Sequence, residues 1–372
     1  MCANRGLAVF CRAEESDLPK KEAVFAVPGA LTTRTGGTIY DRELLHMLRL
    51  QGWQVRHLEL PGGFPQPGAV EMARAVADLQ AIPGDCPVIV DGLAFGALDP
   101  ADVRGIAAPV VALCHHPLAL EAGLAPDVAA TLAEREMANL AMAAQVVVPS
   151  PHTAAVLQAQ FGVPLAKLSI AEPGVTRPGP APAAGRTTPP LILSVGIVTP
   201  RKGHDILLKA LARLTDLDWQ AAIVGRVHDV AEAAALRDLA ARLGLTARVA
   251  FTGEISDDRL SELYARAHLF ALATRFEGYG MAFAEALCRG LPIVSCRTGA
   301  VPDTVPAAAG CLVDVDDDAA FAEAIRRLLQ DPTQYRQMAA AAKAAAEDLP
   351  TWEQTANVMA AALLRAGGNG SP

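Results

Sequence analysis

Short apolar runs recur along the chain between longer stretches of mixed polarity, which predicts strands alternating with helices. Residues 23–27 read as the first strand. A loop follows through Thr35-Gly36-Gly37, and Thr38 is placed to cap a helix reaching about Gln51. Residues 54–60, 88–90, 110–114 and 145–148 read as further strands, and 167–171 closes this set. Residues 173–190 break the pattern, being rich in proline and without apolar periodicity, so they read as a linker. The alternation restarts with a strand at 191–195, a helix from about Gly203, a strand at 219–224 and a helix from about Val230. Strands at 249–252, 268–273 and 292–295 follow, and Thr351-Trp352-Glu353 opens a last helix after Pro350. The expectation is an α/β chain with parallel sheets in two halves. No internal sequence repeat is visible, so any likeness of the halves is structural.

Composition narrows the class. At 372 residues the chain suits two domains of the common ~150-residue size. Its 52% hydrophobic content excludes disorder over most of its length. No run approaches the ~18 to 20 apolar residues of a membrane-spanning helix. Net charge is −8; residues 1–172 carry 12 basic and 18 acidic side chains, and the remainder 20 and 22. Neither half has the basic excess of a nucleic-acid binder. The seven cysteines are scattered, with no C-x-x-C, which reads as reduced thiols in a cytoplasmic protein, with neither a disulfide frame nor a zinc site. The apolar run at residues 6–11 is too short for a secretory signal, so residues 1–21 are expected to be a loose extension.

The strongest chemical signal spans Glu277 to Glu285, two glutamates with seven residues between them. The first falls on a strand-to-helix loop and the second two turns into the helix predicted over residues 281–289. Gly278 and Gly280 leave backbone amides uncovered at that helix N-terminus, a ready anion site. A loop carboxylate there suits sugar hydroxyls, and one on the helix suits a ribose diol. Pro200-Arg201-Lys202-Gly203 places two adjacent cations before a helix, which suits a diphosphate. These groups follow predicted parallel strands, where ligands bind in open α/β sheets. The plainer readings are a Gly-rich turn with two solvated glutamates and a solvated Arg-Lys pair.

Together, Arg201-Lys202-Gly203, the segment 249–254 ending in Glu254, Glu277 to Glu285, the segment 299–303 and the Thr351-Trp352-Glu353 helix resemble the retaining family 4 glycosyltransferases. The likeness covers roughly residues 22–366. It implies a GT-B fold: two Rossmann-like α/β domains facing a central cleft, with the C-terminal helix crossing back to the N-terminal domain. The expected division is an extension at 1–21, an acceptor-side domain at 22–172 and a linker at 173–190. A nucleotide-sugar-binding domain at 191–350, a crossover helix at 351–366 and a disordered tail at 367–372 complete it. The resemblance implies Glu277 at the donor hexose, Glu285 at the ribose, and Arg201 and Lys202 at the diphosphate. Gly196, Gly225, Glu254, Gly278, Tyr279, Gly280, Met281 and Ala282 would line the same donor site. Many members carry Arg directly after the glycine of the preceding strand, where this chain has Ile197, so Arg201 and Lys202 would bear more of the neutralisation. Gly36 and Gly37 match the family's glycine-rich first loop, and His115 the histidine at the donor sugar, with His116 as a wall of the pocket.

Two aspartate clusters resemble metal ligands. Asp314, Asp316, Asp317 and Asp318 directly precede a helix, as do Ser256, Asp257 and Asp258, so capping explains both and no metal site is assigned. The expected activity is a metal-independent, retaining transfer of a hexose from a UDP- or GDP-sugar to a hydroxyl acceptor. A nucleotide-sugar epimerase and a non-catalytic sensor are the rival readings. The acidic N-terminal half favours a soluble or small polar acceptor over a membrane lipid, with Phe64 in the loop 61–65 as a candidate platform. The oligomeric state is left open.

Overall fold

The computed structural model describes residues 21–121, 123–177, 179 and 187–368. Most of the predicted N-terminal extension and part of the predicted linker lie outside them. The first sheet contains β1 (Glu22–Pro28), β2 (Gln54–Leu60), β3 (Val88–Asp91), β4 (Val110–Leu113), β5 (Gln145–Val148) and β6 (Leu168–Ile170). Its order is β2-β1-β3-β4-β5-β6, parallel throughout. The second contains β7 (Leu191–Val195), β8 (Gln220–Val224), β9 (Val249–Gly253), β10 (Leu269–Leu272), β11 (Ile293–Cys296) and β12 (Gly310–Val313). Its order is β12-β11-β10-β7-β8-β9, also parallel. This is the GT-B architecture of two Rossmann-like sheets.

Helices on both faces explain why β3, β4, β5, β10 and β11 are buried at every position and are mostly apolar. In the second sheet the strand order reverses between β7 and β10, the kind of crevice where open α/β sheets bind ligands.

Four sequence expectations change. The first long helix is Gly36–Leu50, and its cap is Thr35, whose hydroxyl accepts from the Thr38 N–H at 3.2 Å. Gly36 and Gly37 are therefore its first helical residues, not a loop ahead of it. Phe64 is no exposed platform: it is 7% exposed and packs with Leu60 and Ala75 in the core. Strand β12 went unread: it lies at the sheet edge, and of Gly310–Val313 only Gly310 is fully buried, unlike the interior strands of the same length. The closing helix, Trp352–Gly368, extends two residues beyond the predicted 366. It crosses to the first sheet, burying Trp352, Ala356, Met359 and Leu363 against Tyr40, Leu44, Leu48 and Val147. Five cysteines among the described residues are free: Cys86, Cys114, Cys288, Cys296 and Cys311.

Candidate active site

The site starts from two close backbone approaches. Gly203, at φ 62°, ends the Pro200–Lys202 turn after β7; a Cβ there would lie 1.9 Å from the Ala273 carbonyl oxygen just after β10. Gly225, after β8, would meet the Gly196 carbonyl at the same distance. Only glycine lets these strand exits crowd together. Gly196 also leaves room for the Lys202 stem, its Cβ position being 3.2 Å from Lys202 Cδ.

The Arg201-Lys202 turn is thereby brought to Glu277. Lys202 Nζ donates to Glu277 Oε1 at 2.6 Å, and Arg201 stands 3.8 Å from Glu277 Oε2. Arg201 also donates to the Phe276 carbonyl and to Glu121 Oε1, each at 3.1 Å. Glu277 is 5% exposed. Burial pushes its carboxyl upward, but the Lys202 and Arg201 charges outweigh this and hold it below the usual carboxylate range. Burial lowers Lys202 from its ordinary value against the pull of Glu277. The Glu277 backbone is held in turn: its carbonyl accepts from Ala300 N–H at 2.9 Å, over a tight approach by Gly299.

Beyond Glu277, Gly280 takes φ 91° and opens the helix Met281–Cys288, so Met281 and Ala282 form its first turn. Tyr279 turns inward at 7% exposed, and its carbonyl accepts from the Thr304 hydroxyl at 2.7 Å. Glu285 does not join the Lys202–Glu277 cluster. Its Oε2 accepts from the Tyr264 hydroxyl at 2.8 Å, and burial pushes its carboxyl up. Glu254, after β9, lies 3.7 Å from Arg34 Nε of the opposite half.

The two halves meet across this site. Gly278 packs under the His115 carbonyl oxygen, which would be 2.4 Å from a Cβ there. Thr153 Oγ1 donates to the Gly278 carbonyl at 3.2 Å, and Arg34 reaches Asp257 at 2.9 Å. His116 lies against Phe276, ring centroids 4.5 Å apart, and burial lowers it to about 4, which keeps it neutral. His115 is turned the other way. Its Nε2 is 2.9 Å from Asp41 Oδ1 and 3.4 Å from Asp91 Oδ2, and its ring lies 3.5 Å from a Cβ position on Gly37.

The aspartate runs are engaged elsewhere. Asp317 caps the helix Asp318–Gln330, Asp316 pairs with Arg275 at 2.8 Å, and Asp318 pairs with Arg213. Ser256 caps Asp257–Arg266. Asp41, Asp91, Glu121 and Tyr264 were missed as site residues. Asp41 is one of the acidic residues of the N-terminal half, yet it is 2% exposed. Its place on the Tyr40, Leu44, Leu48 face was the available signal. Asp91, ending the apolar run of β3, was another.

The chain is similar to one protein family, to two relatives of known activity and to a solved structure. Residues 181–345 match the family of glycosyl transferases group 1. The chain is 32% identical over 280 residues to a GDP-mannose-dependent alpha-(1-6)-phosphatidylinositol monomannoside mannosyltransferase of Mycolicibacterium smegmatis, covering 67% of this chain and 72% of that one. It is 27% identical over 310 residues to an MMP alpha-(1->4)-mannosyltransferase of Mycolicibacterium hassiacum, covering 79% and 74%. Among solved structures, a sucrose-phosphate synthase from Thermosynechococcus elongatus superposes with a TM-score of 0.74 at 21% identity. That superposition spans 94% of this chain and 100% of the other, a likeness of fold.

Proposed function

Since the chain belongs to the group 1 glycosyl transferases, retaining enzymes of the GT-B fold, we propose that it moves a hexose from a nucleoside diphosphate sugar to a hydroxyl acceptor without a metal. Both relatives described above are named mannosyltransferases, and one is named GDP-mannose-dependent, so GDP-mannose leads the candidate donors. The observation that carries the reading is the buried contact of Lys202 and Arg201 with Glu277 at the β7/β10 crevice.

In the reaction, the bond from the anomeric carbon to the diphosphate oxygen breaks as a bond from the acceptor oxygen forms on the same face. The acceptor hydroxyl proton passes to the departing phosphate oxygen. Negative charge grows on the diphosphate, and Arg201, Lys202 and the amides that open the Gly36–Leu50 and Met281–Cys288 helices are suited to stabilise it. Those two cations take the role a divalent ion plays elsewhere. Glu277, released from Lys202 as the diphosphate takes that cation, is suited to the hexose hydroxyls. Glu285, anchored by Tyr264, is suited to the ribose diol. The acceptor is read as small and polar, on the acidic excess of the N-terminal half. Among the described residues no helix is long and apolar enough to cross a membrane.

A thermal-shift panel of GDP, UDP and ADP with their common sugars tests this, because a ligand at 100 times its Kd stabilises by about 2.7 kcal/mol. Stabilisation by one nucleotide, with release of that nucleotide from its sugar, is expected. No shift with any member of the panel, and no nucleotide release, would sink the proposal.

A further inference from the structure

We infer that Asp41 and Asp91 are positioning residues that clamp the His115 ring inward, beneath Gly37 in the first turn of the Gly36–Leu50 helix. The inference rests on the glycosyl-transfer reading above and gives two residues of that site a role.

The geometry comes from three neighbouring strand exits. In the first sheet β3 lies between β1 and β4. Asp41 stands on the helix that follows β1, Asp91 ends β3, and His115 lies two residues beyond β4. Each exit thus contributes one group to a single hydrogen-bonded cluster. Both aspartates are 2% exposed. Asp91 is oriented by its own capping bond, Oδ1 accepting from the Leu93 N–H at 2.9 Å. Tyr40 meets the His115 ring edge-on at 4.9 Å, and its hydroxyl is fixed on the Ala171 carbonyl at 2.8 Å. The ring edge carrying Cδ2 and Nε2 lies under Gly37, where a Cβ would touch it at 3.5 to 3.8 Å.

A ring swung into the cleft would leave the buried Asp41 carboxylate without its partner and Asp91 with only its capping bond, which is strongly unfavourable. The Nε2–H is therefore committed to Asp41, and His115 serves the site by supporting the glycine turn and carrying charge beneath it. Burial pushes the imidazole pKa down, yet the two aspartates outweigh this and raise it to about 10. Asp41 is itself raised to about 6, by burial first and by Asp91, with His115 opposing. Between those values the ring is charged and faces an ionised Asp41. The other titratable groups around the cluster are the Tyr40 hydroxyl, held neutral by burial, and the Cys114–Glu136 pair beside Asp91.

The test combines imidazole NMR of histidine-labelled protein with turnover between pH 6.5 and 9. The His115 signal is assigned by its loss in His115→Gln. In the unliganded wild type it should stay in the imidazolium position across that range. In Asp41→Asn it should titrate, with a midpoint lower by about one unit or more, and Asp91→Asn should shift it by less. Turnover of GDP-mannose by Asp41→Asn should fall roughly tenfold or more at pH 9 and recover towards pH 6.5, where the ring regains its proton. A purely structural defect would not produce that recovery. A wild-type His115 that titrates near the ordinary histidine value would overturn the clamp, as would an unshifted midpoint in both asparagine variants. A His115 signal that moves on adding Zn²⁺ would make the cluster a metal site and likewise overturn it. The titration needs no donor. If the wild type turns over no nucleotide sugar, the transferase reading fails while the clamp is still judged.

Discussion

Replacing Lys202 with methionine should separate what the Lys202–Glu277 pair does for folding from what it does for the donor. The Nζ–Oε1 distance is 2.6 Å and Glu277 is 5% exposed, so the variant strands a carboxylate in the interior. Removing one partner of a buried ion pair costs about 3 to 5 kcal/mol. Arg201, at 3.8 Å from the other oxygen, recovers part of this, so the low end, about 3 kcal/mol, is expected. The pH dependence follows from the sign of the Glu277 shift. Its folded-state pKa lies below the ordinary value, so the pair's contribution is fully present above that ordinary value. It is lost as pH falls through the depressed one. Lys202→Met should remove this acid limb from the stability profile. The double variant Lys202→Met/Glu277→Gln has no stranded charge and should regain most of the lost stability. It should not regain affinity for a nucleoside diphosphate, because the cation is still missing. Urea unfolding from pH 3 to 7 reads the first effect, and calorimetric titration with GDP or UDP the second. A double variant as unstable as the single one would refute the pair's place in the fold. Unchanged diphosphate affinity in Lys202→Met would refute its place in the donor site.

Three further outcomes are expected. Glu277→Gln should nearly abolish transfer while leaving nucleoside diphosphate affinity within a few-fold of wild type, whereas Glu285→Gln should weaken that affinity roughly tenfold; calorimetry and product assays separate the two, and equal losses would show the division of roles to be wrong. Gly278→Ala should cut turnover sharply with little loss of thermal stability, since a Cβ 2.4 Å from the His115 carbonyl forces the two halves apart; small-angle scattering reports the opening, and a fully active variant would show that the halves need not approach there. Turnover should survive EDTA, and loss restored by Mg²⁺ or Mn²⁺ would show that Arg201 and Lys202 do not suffice.

Most of the framework was written locally. Strands such as β4 and β10 are buried on both faces, so their apolar runs announce them without reference to any neighbour. Ser256 and Asp317 cap the helices they precede because a cap is decided within one turn. Glu277 and Glu285 stood out as candidates for a similar reason: seven intervening residues and two glycines carry their own geometry.

What the tertiary structure alone decided lies between segments distant in sequence. Glu285 follows Glu277 by eight residues, yet it bonds to the Tyr264 hydroxyl and not to the cations that hold Glu277. Asp41 is one acidic residue among many in the N-terminal half, and only the fold brings the ends of β3 and β4, with Asp91 and His115, against it. Phe64 looked like an exposed platform until Leu60 and Ala75 closed over it. Hydrophobic pattern, capping and turn chemistry act over a few residues, and a sequence displays them directly. Ion pairs and ring orientations depend on which strand exits become neighbours, and only the folded order of the sheets settles that.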